Sequence, residues 1–321
     1  MNIIDCIFDT FKETIFLKDD SNLKKQVEEL KEIQKENNSP NINKDIKLLE
    51  LGIKGEEAIS FELKNCNLGL YVLRDVTIKH NDTKAQIDYV IVSKGYIYLV
   101  ECKNLIGNIY VDSNGQFQRE YEYNGKKIKE SIYSPYTQAI RHKEILKSKW
   151  ISKNSKLSVA IREKYFDKLW YKPLVVIANP KSILNIKFAP KDIKSNIVKV
   201  DNLIKYIEND IKSYDKSLLS SKKVMEEMAK NWLLANVNEY HSIADKYKTN
   251  EEKVSKLRQS LKDFRLEKAR QMKVPPYYIF NDNELELIVK NNPKSEEELK
   301  KILPPIKVKC HGKEILQIIK K

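Results

Sequence analysis

"AQIDYVIVSKGYIYLVECKN", residues 85–104, sets two carboxylates and a lysine, Asp88, Glu101 and Lys103, inside an otherwise apolar stretch. Its two halves alternate as strands do, and Lys94-Gly95 between them reads as a two-residue hairpin loop. Ser93 then pairs with Tyr96, and keeping that register back along both strands puts Asp88 opposite Glu101. Lys103 lies two residues on, on the same face, and Cys102 points the other way. Directly opposed side chains have Cβ atoms roughly 4.5–5.5 Å apart, where like charges destabilise a sheet. A divalent cation between the carboxylates removes that penalty, because Mg²⁺ is commonly held by one or two carboxylates, with waters and phosphate oxygens completing its shell. Lys103 beside the ion could orient or help deprotonate an attacking water, or offset charge on phosphorus; its acidic neighbours favour the charged form and hence the role of a cation. The competing readings are an inert salt bridge at a sheet edge and a degenerate site that binds without reacting. Otherwise both faces of the hairpin are apolar, Val90, Val92, Ile97 and Leu99 on one and Ile87, Tyr89, Ile91, Tyr98 and Val100 on the other, which predicts helices on both sides of the sheet.

The rest of the chain bounds what such a site acts on. At 321 residues there is length for a core of about 200 residues and one smaller domain. The net charge of +14 is unevenly spread: residues 51–210 carry 27 Lys and Arg against 18 Asp and Glu, and residues 254–321 carry 16 against 9. Two basic blocks flanking a near-neutral connector point to a polyanionic partner, with a lysine-rich, AT-biased genome as the bland alternative. Cys6, Cys66, Cys102 and Cys310 are too dispersed for a zinc pattern, which predicts a reduced, intracellular protein. No apolar run approaches a membrane span and the N-terminus has no signal-like core, so the expected location is the cytoplasm.

Periodicity divides the chain as an N-terminal helical extension and linker (1–47), an α/β domain (48–210), a helical connector (211–253) and a helical C-terminal domain (254–321). In the first part, "DSNLKKQVEELKEIQKENN" carries Leu23, Val27, Leu30 and Ile33 on one stripe, and "NNSPNIN" reads as a linker. In the α/β part, "PLVVIANP" reads as a buried strand, and "SPYTQAIRHKEILKSKW" as a helix with Ser134 as N-cap and Pro135 at its first position. In the last part, "SEEELKKIL" opens with a Ser295-x-x-Glu298 capping box.

Asp88 followed by Glu101-x-Lys103 resembles the D…(D/E)xK core of the restriction-endonuclease-like superfamily. Together, "GIKGEEAIS", "QIDYVIVSKGYIYLVECKNLIGNIY" and "SPYTQAIRHKEILK" resemble the NERD (nuclease-related) domain over about residues 48–210. The resemblance implies a mixed sheet flanked by helices and a Mg²⁺ (or Mn²⁺) dependent nuclease acting on nucleic acid, with DNA as the expected substrate. It places a further metal-site carboxylate at Glu56, with Glu57 beside it as the alternative, and a supporting glutamine at Gln138. Glu56, Ile59 and Leu63 share one helical face, which would turn Glu56 toward the sheet. His142, one turn after Gln138, is expected to meet phosphate or solvent. Residues 254–319, above all "ARQMKVPPYYIFNDNEL", resemble an HRDC domain, which implies a small all-α module binding nucleic acid or a protein such as a helicase or another repair protein. Lys256, Arg258, Lys262, Arg265, Lys268 and Arg270 stud its first helix as candidate phosphate contacts, against the bland reading of a solvated face. Tyr277 and Tyr278 are expected to pack rather than stack on bases. Leu303-Pro304-Pro305-Ile306 replaces a Gly-containing turn of the family and removes backbone donors there. The remaining alternative is a catalytically inactive DNA-binding adaptor or a scaffold for a helicase.

Overall fold

Residues 83–92 and 97–103 pair through the expected hairpin at the centre of a mixed six-stranded sheet in the computed structural model, which describes residues 11–37, 39–152, 171–237, 239–247 and 250–320. Cys6 lies outside the described residues. The sheet order is β1 (Thr14–Lys18), β2 (Leu70–His80), β3 (Thr83–Val92), β4 (Ile97–Lys103), β8 (Tyr171–Ile177) and β10 (Ile197–Lys199). The meander β2–β3–β4 is antiparallel, whereas β1, β8 and β10 run parallel to their neighbours. A second sheet is formed by β5 (Asn108–Val111), β6 (Phe117–Tyr123), β7 (Lys126–Ile132) and the two-residue β9 (Leu184–Asn185).

The apolar faces are covered on both sides, as their composition predicts. On one, Ile59 and Leu63 of α2 (Pro40–Lys64) and Leu203 and Ile207 of α5 (Leu203–Ser213) pack over Tyr89, Ile91, Tyr98 and Val100. On the other, Met225, Ala229 and Trp232 of α6 (Lys222–Ala235) pack with Val90, Val92, Ile97 and Leu99, joined by Ile145 and Leu146 of α3 (Pro135–Ser152). Val175 and Ile177 of β8 pack with Ile109, Val111 and Phe117 of the second sheet. The hairpin loop has its own logic. Ser93 Oγ accepts from the Gly95 and Tyr96 amides at 3.2 and 3.1 Å, and Gly95, whose backbone is not left-handed, lies close under the Tyr214 ring, where an added Cβ would stand 3.1 Å from it.

Ile87 departs from the expected face and joins Val90 and Val92 in the cluster with α6. Residues three apart share a face only where the pleat slips, and in β2 Leu73 and Val76 do the same. The two slips adjoin: the register runs Arg74 to Tyr89 and then Val76 to Ile87, with Asp75 and Asp88 between them, and Asp75 adopts φ +51°.

The division of the chain also differs from the expected one. Residues 14–18 form an edge strand on β2, and Ser39-Pro40 opens one helix that runs through the expected boundary at residue 47. Proline suits that first position because its missing N–H would have no partner there. Residues 211–242 of the expected connector belong to the first unit, because Met225, Ala229 and Trp232 recur at helical spacing and are buried in its core. Thr77 donates to Asn236 Oδ1 and accepts from the Val237 amide, both at 2.8 Å. The compact units divide between Ser242 and Ile243.

The second unit contains α7 (Asn250–Met272), α8 (Asp282–Asn291), α9 (Glu296–Leu299) and α10 (Pro305–Lys320) around Leu261, Phe280, Ile288, Leu299 and Ile315. Ser295 caps α9 through the Glu298 amide, but Glu298 turns to the Lys294 amide, and the complete capping box lies at Asn281–Glu284. Tyr277 and Tyr278 are both 60% exposed with ring centroids 5.0 Å apart, so they do not pack into this core as expected. Among the described residues no helix is long and apolar enough to cross a membrane, and Cys66, Cys102 and Cys310 are free thiols.

A fragment of residues 243–321 is expected to show helical circular dichroism and a cooperative melt on its own. A fragment ending at residue 210 is expected to stay unfolded, while one ending at residue 242 folds. Within the longer fragment Trp232→Ala should cost about 3–5 kcal/mol in urea titration.

Candidate active site

The hairpin holds the expected register through four pairs, from Val92–Ile97 to Tyr89–Val100. Ser93 N donates to Tyr96 O at 3.0 Å, and since bonded pairs alternate along an antiparallel ladder, Cys102 N should next reach Ile87 O. It bonds instead to Asp88 Oδ2, at 2.7 Å. The pleat slip at Asp88 thus carries a carboxylate into the place of a ladder carbonyl, beside Glu101 on β4.

Glu101 is 2% exposed. Its Oε1 accepts from Lys103 Nζ at 2.6 Å, while Oε2 is buried without a hydrogen-bond partner. Lys103 also donates to Gln138 Oε1 at 3.2 Å, from the first turn of α3, whose N-terminus is capped by Ser134 Oγ on the Thr137 amide at 3.1 Å. Asp88, Glu101, Lys103 and Gln138 are therefore brought together. His142 joins them, one turn beyond Gln138: its Nδ1 stands 3.7 Å from Glu101 Oε2, outside hydrogen-bond reach, so it meets the carboxylate rather than open solvent. The i, i+4 spacing from Gln138 was the available signal for it.

Glu56 does turn toward the sheet, and Glu57 does not; Glu57 is exposed and pairs with Lys24 at 2.9 Å. Glu56 sits there because α2 approaches at Gly55, where a Cβ would lie 2.7 Å from Asn104 Cβ and 3.1 Å from Cys102 Sγ. Asn104 Nδ2 bonds Leu51 O at 2.7 Å, and the Tyr89 hydroxyl donates to Glu56 O at 2.7 Å. Glu56 is nevertheless not free. Arg74, buried in β2, donates to its Oε2 through Nε at 2.8 Å and approaches the same oxygen with Nη2 at 2.7 Å.

The strand β1 and the start of α1 (Asn22–Asn37) brace this corner. Lys18 Nζ donates to Arg74 O at 2.9 Å, and Asp75 Oδ2 accepts from both Asn22 N and Asn22 Nδ2 at 2.9 and 3.1 Å. Gln86 Nε2 takes the other Asp75 oxygen at 2.8 Å. The left-handed Asp75 is thus pinned from both sides, beside Asp88 on the neighbouring strand.

Burial dominates the electrostatics. It pushes Glu56 up to about 7, helped by the charge of Asp88 and opposed by Arg74. Burial, and for Asp88 the charge of Glu101, raises both members of that pair, against the Cys102 amide and Lys103. His142 is pushed down to about 4 by burial and then by Lys103, so it is neutral near pH 7. Among the described residues no group of three or more His, Cys, Asp or Glu side chains could hold a metal alone. Glu56, expected as a third metal carboxylate, is held by Arg74. Two carboxylates with an unpartnered buried oxygen do fit Mg²⁺, which leaves the rest of its shell to waters and substrate phosphates.

In the second unit Arg258 forms a two-point contact with Glu286 at 2.7 and 2.8 Å, Arg265 pairs with Asp282 at 2.7 Å, and Lys268 pairs with Glu314 at 2.7 Å. Lys256, Lys262 and Arg270 form no ion pair among the described residues, so the basic helix is half spent on its own domain.

Two family models match the chain: one described as the nuclease-related domain (NERD) over residues 51–178, and one for the HRDC domain over residues 255–319. Comparison with curated proteins and with solved structures gives no match.

The raised Glu56 has a measurable consequence. Between about pH 4.5 and about 7 the folded chain keeps a proton that the unfolded chain has released, so this group's contribution to stability falls as pH rises through that window, by roughly 3 kcal/mol in all. His142 works in the opposite sense between about 4 and 6.5, where the unfolded chain holds the extra proton. Urea titrations of the metal-free protein should show Glu56→Gln losing less stability than wild type between about pH 5 and about 8. Parallel pH profiles for the two proteins would contradict the assignment.

Proposed function

We propose, for a chain that joins a nuclease-related domain to an HRDC domain, that it is a metal-dependent nuclease hydrolysing phosphodiester bonds in DNA, in repair, processing or defence. The observation that carries the reading is the Asp88–Glu101–Lys103 cluster: two adjacent carboxylates, of which Glu101 is buried with one oxygen left without a partner, beside a lysine steered by Gln138. Asp88 and Glu101 would hold Mg²⁺ (or Mn²⁺), while Glu56 stays paired with Arg74. A bound Mg²⁺ supplies Lewis acidity toward the scissile phosphate and the attacking water.

The remaining work falls to side chains of this chain. Lys103, oriented by Glu101 Oε1 and Gln138 Oε1, acts as a cation that positions the water and offsets negative charge growing on the phosphoryl oxygens. His142, neutral, keeps one wall of the site free of a second positive charge. The HRDC unit adds a second nucleic-acid contact through Lys256, Lys262 and Arg270, the cations that its own acids leave unpaired. One observation favours the rival reading of an inactive DNA-binding adaptor: Glu56 and Asp88 each commit an oxygen within the fold.

Purified protein incubated with linear, circular and single-stranded DNA should cleave with Mg²⁺ or Mn²⁺ and not with EDTA. Asp88→Asn and Glu101→Gln should abolish cleavage while the metal-free variants melt no lower than wild type, since like-charge repulsion is removed. Lys103→Arg should keep a detectable fraction of activity and Lys103→Met almost none. Full cleavage by Asp88→Asn or Glu101→Gln would end the metal assignment, and binding without cleavage by the wild type would select the adaptor.

A further inference from the structure

β8 delivers the chain to the same end of the sheet as the proposed catalytic lysine. Ile177 is the register partner of Lys103, and Ala178 N donates to Lys103 O at 2.9 Å. The segment that follows, residues 179–199, carries five lysines and a single acid, Asp192, and lies beyond the stretch matched by the nuclease-related model. Lys181, Lys187, Lys191 and Lys194 are exposed, and none of the four forms an ion pair among the described residues. Asp192 faces the Tyr136 hydroxyl.

Apolar side chains stand among these cations. Ile183 is 62% and Phe188 68% exposed, and Lys187 Nζ lies 5.5 Å from the Phe188 ring centroid. They are not on a loose loop. Leu184, Ile186, Ala189 and Ile193 point inward into the second-sheet core, so the outward direction of Ile183 and Phe188 is set by the anchored residues between them. The backbone is tied to the chain leaving β4: Asn179 Nδ2 and Ser182 Oγ both donate to Leu105 O at 2.9 Å, Ile183 N donates to Asn108 Oδ1 at 3.1 Å, and Ile109 N donates to Ile183 O at 2.8 Å. A rigid ledge of unpaired ammonium groups around exposed apolar tips gains nothing for the fold, since ammonium groups in water are self-sufficient and the tips remain wet.

We propose that residues 179–199 form a nucleic-acid-binding rim of the active site, with Lys181, Lys187, Lys191 and Lys194 on backbone phosphates and Ile183 and Phe188 against sugar and base surfaces. The charge selects a polyanion, and apolar side chains set among phosphate-binding cations are how proteins lean into a groove or against an unstacked base. The rim rests on the reading of the neighbouring cluster as a phosphodiesterase for its biological sense, but its test reads binding alone.

The experiment is fluorescence anisotropy of a labelled DNA duplex with the full chain in EDTA, over a salt series. Replacing the four lysines by alanine together is expected to weaken binding at least about tenfold and to flatten the slope of log K against log salt by about 3 to 4, roughly 0.9 for each phosphate that no longer has a lysine on it. Ile183→Ser with Phe188→Ser is expected to weaken binding several-fold at an unchanged slope. All these positions are exposed, so melting temperatures should match wild type and loss of fold is excluded directly. An unchanged slope in the quadruple variant, no DNA binding by the wild type, or loss of polyglutamate binding with DNA binding intact would each overturn the rim, the last assigning it to an acidic protein. A flattened slope in a protein that never cleaves DNA with Mg²⁺ would keep the rim and remove the nuclease. Cleavage with an unaltered slope would do the reverse.

Discussion

At Asp88 a side-chain carboxylate takes the backbone hydrogen bond that the β3–β4 ladder would otherwise make with a carbonyl. An N–H in a buried sheet must have an acceptor, and supplying it from a carboxylate keeps the strand pair intact while the pleat slips. The slip requires a matching one in β2, which is why Asp75 is left-handed and why Asn22 and Gln86 converge on it. A non-glycine residue in that conformation costs on the order of 1 kcal/mol or more and persists only where its surroundings hold it. The edge strand β1, the turn after it and the start of α1 are what hold it.

Burying several acids at one corner sets the second constraint. Each carboxylate taken from water raises its own affinity for a proton, and three neighbours compound the effect through mutual repulsion. The chain answers with an unequal distribution of cations. Arg74 is given wholly to Glu56, Lys103 is shared between Glu101 and Gln138, and one oxygen of Glu101 receives nothing. A purely structural cluster would be expected to satisfy all its members, because an unpaired buried oxygen costs about 1–3 kcal/mol. The unpartnered Glu101 oxygen beside a second carboxylate is what the proposed metal site draws on.

Much of this was readable along the chain. Strand alternation and a two-residue loop are local, so the register of residues 89–100 followed from the residues themselves; Asp88 does come beside Glu101, but through the slip at Asp88 and not as a continuation of that register. The orientation of Glu56 followed from helical spacing, and the capped start of α3 from Ser134-Pro135. Arg74 carried no such signal, because β2 also holds Asp75 and Lys79, and only its burial against Glu56 makes it part of the site.

What the residues by themselves determined, then, was the set of elements and the local geometry of the hairpin, because periods of 2 and 3.6 and turn chemistry act over a few residues. Tertiary structure decided the rest. Residues 14–18 became an edge strand and residues 222–235 became core because β2 and its apolar face needed partners from distant parts of the chain. Spacing puts His142 on the face of Gln138, but that this face meets Glu101, and that Glu56 goes to Arg74, was decided by where α2 and α3 lie on the sheet. Ile87 changed sides because the pleat slips in β2 and β3 together, which hydrophobic alternation read one strand at a time cannot register.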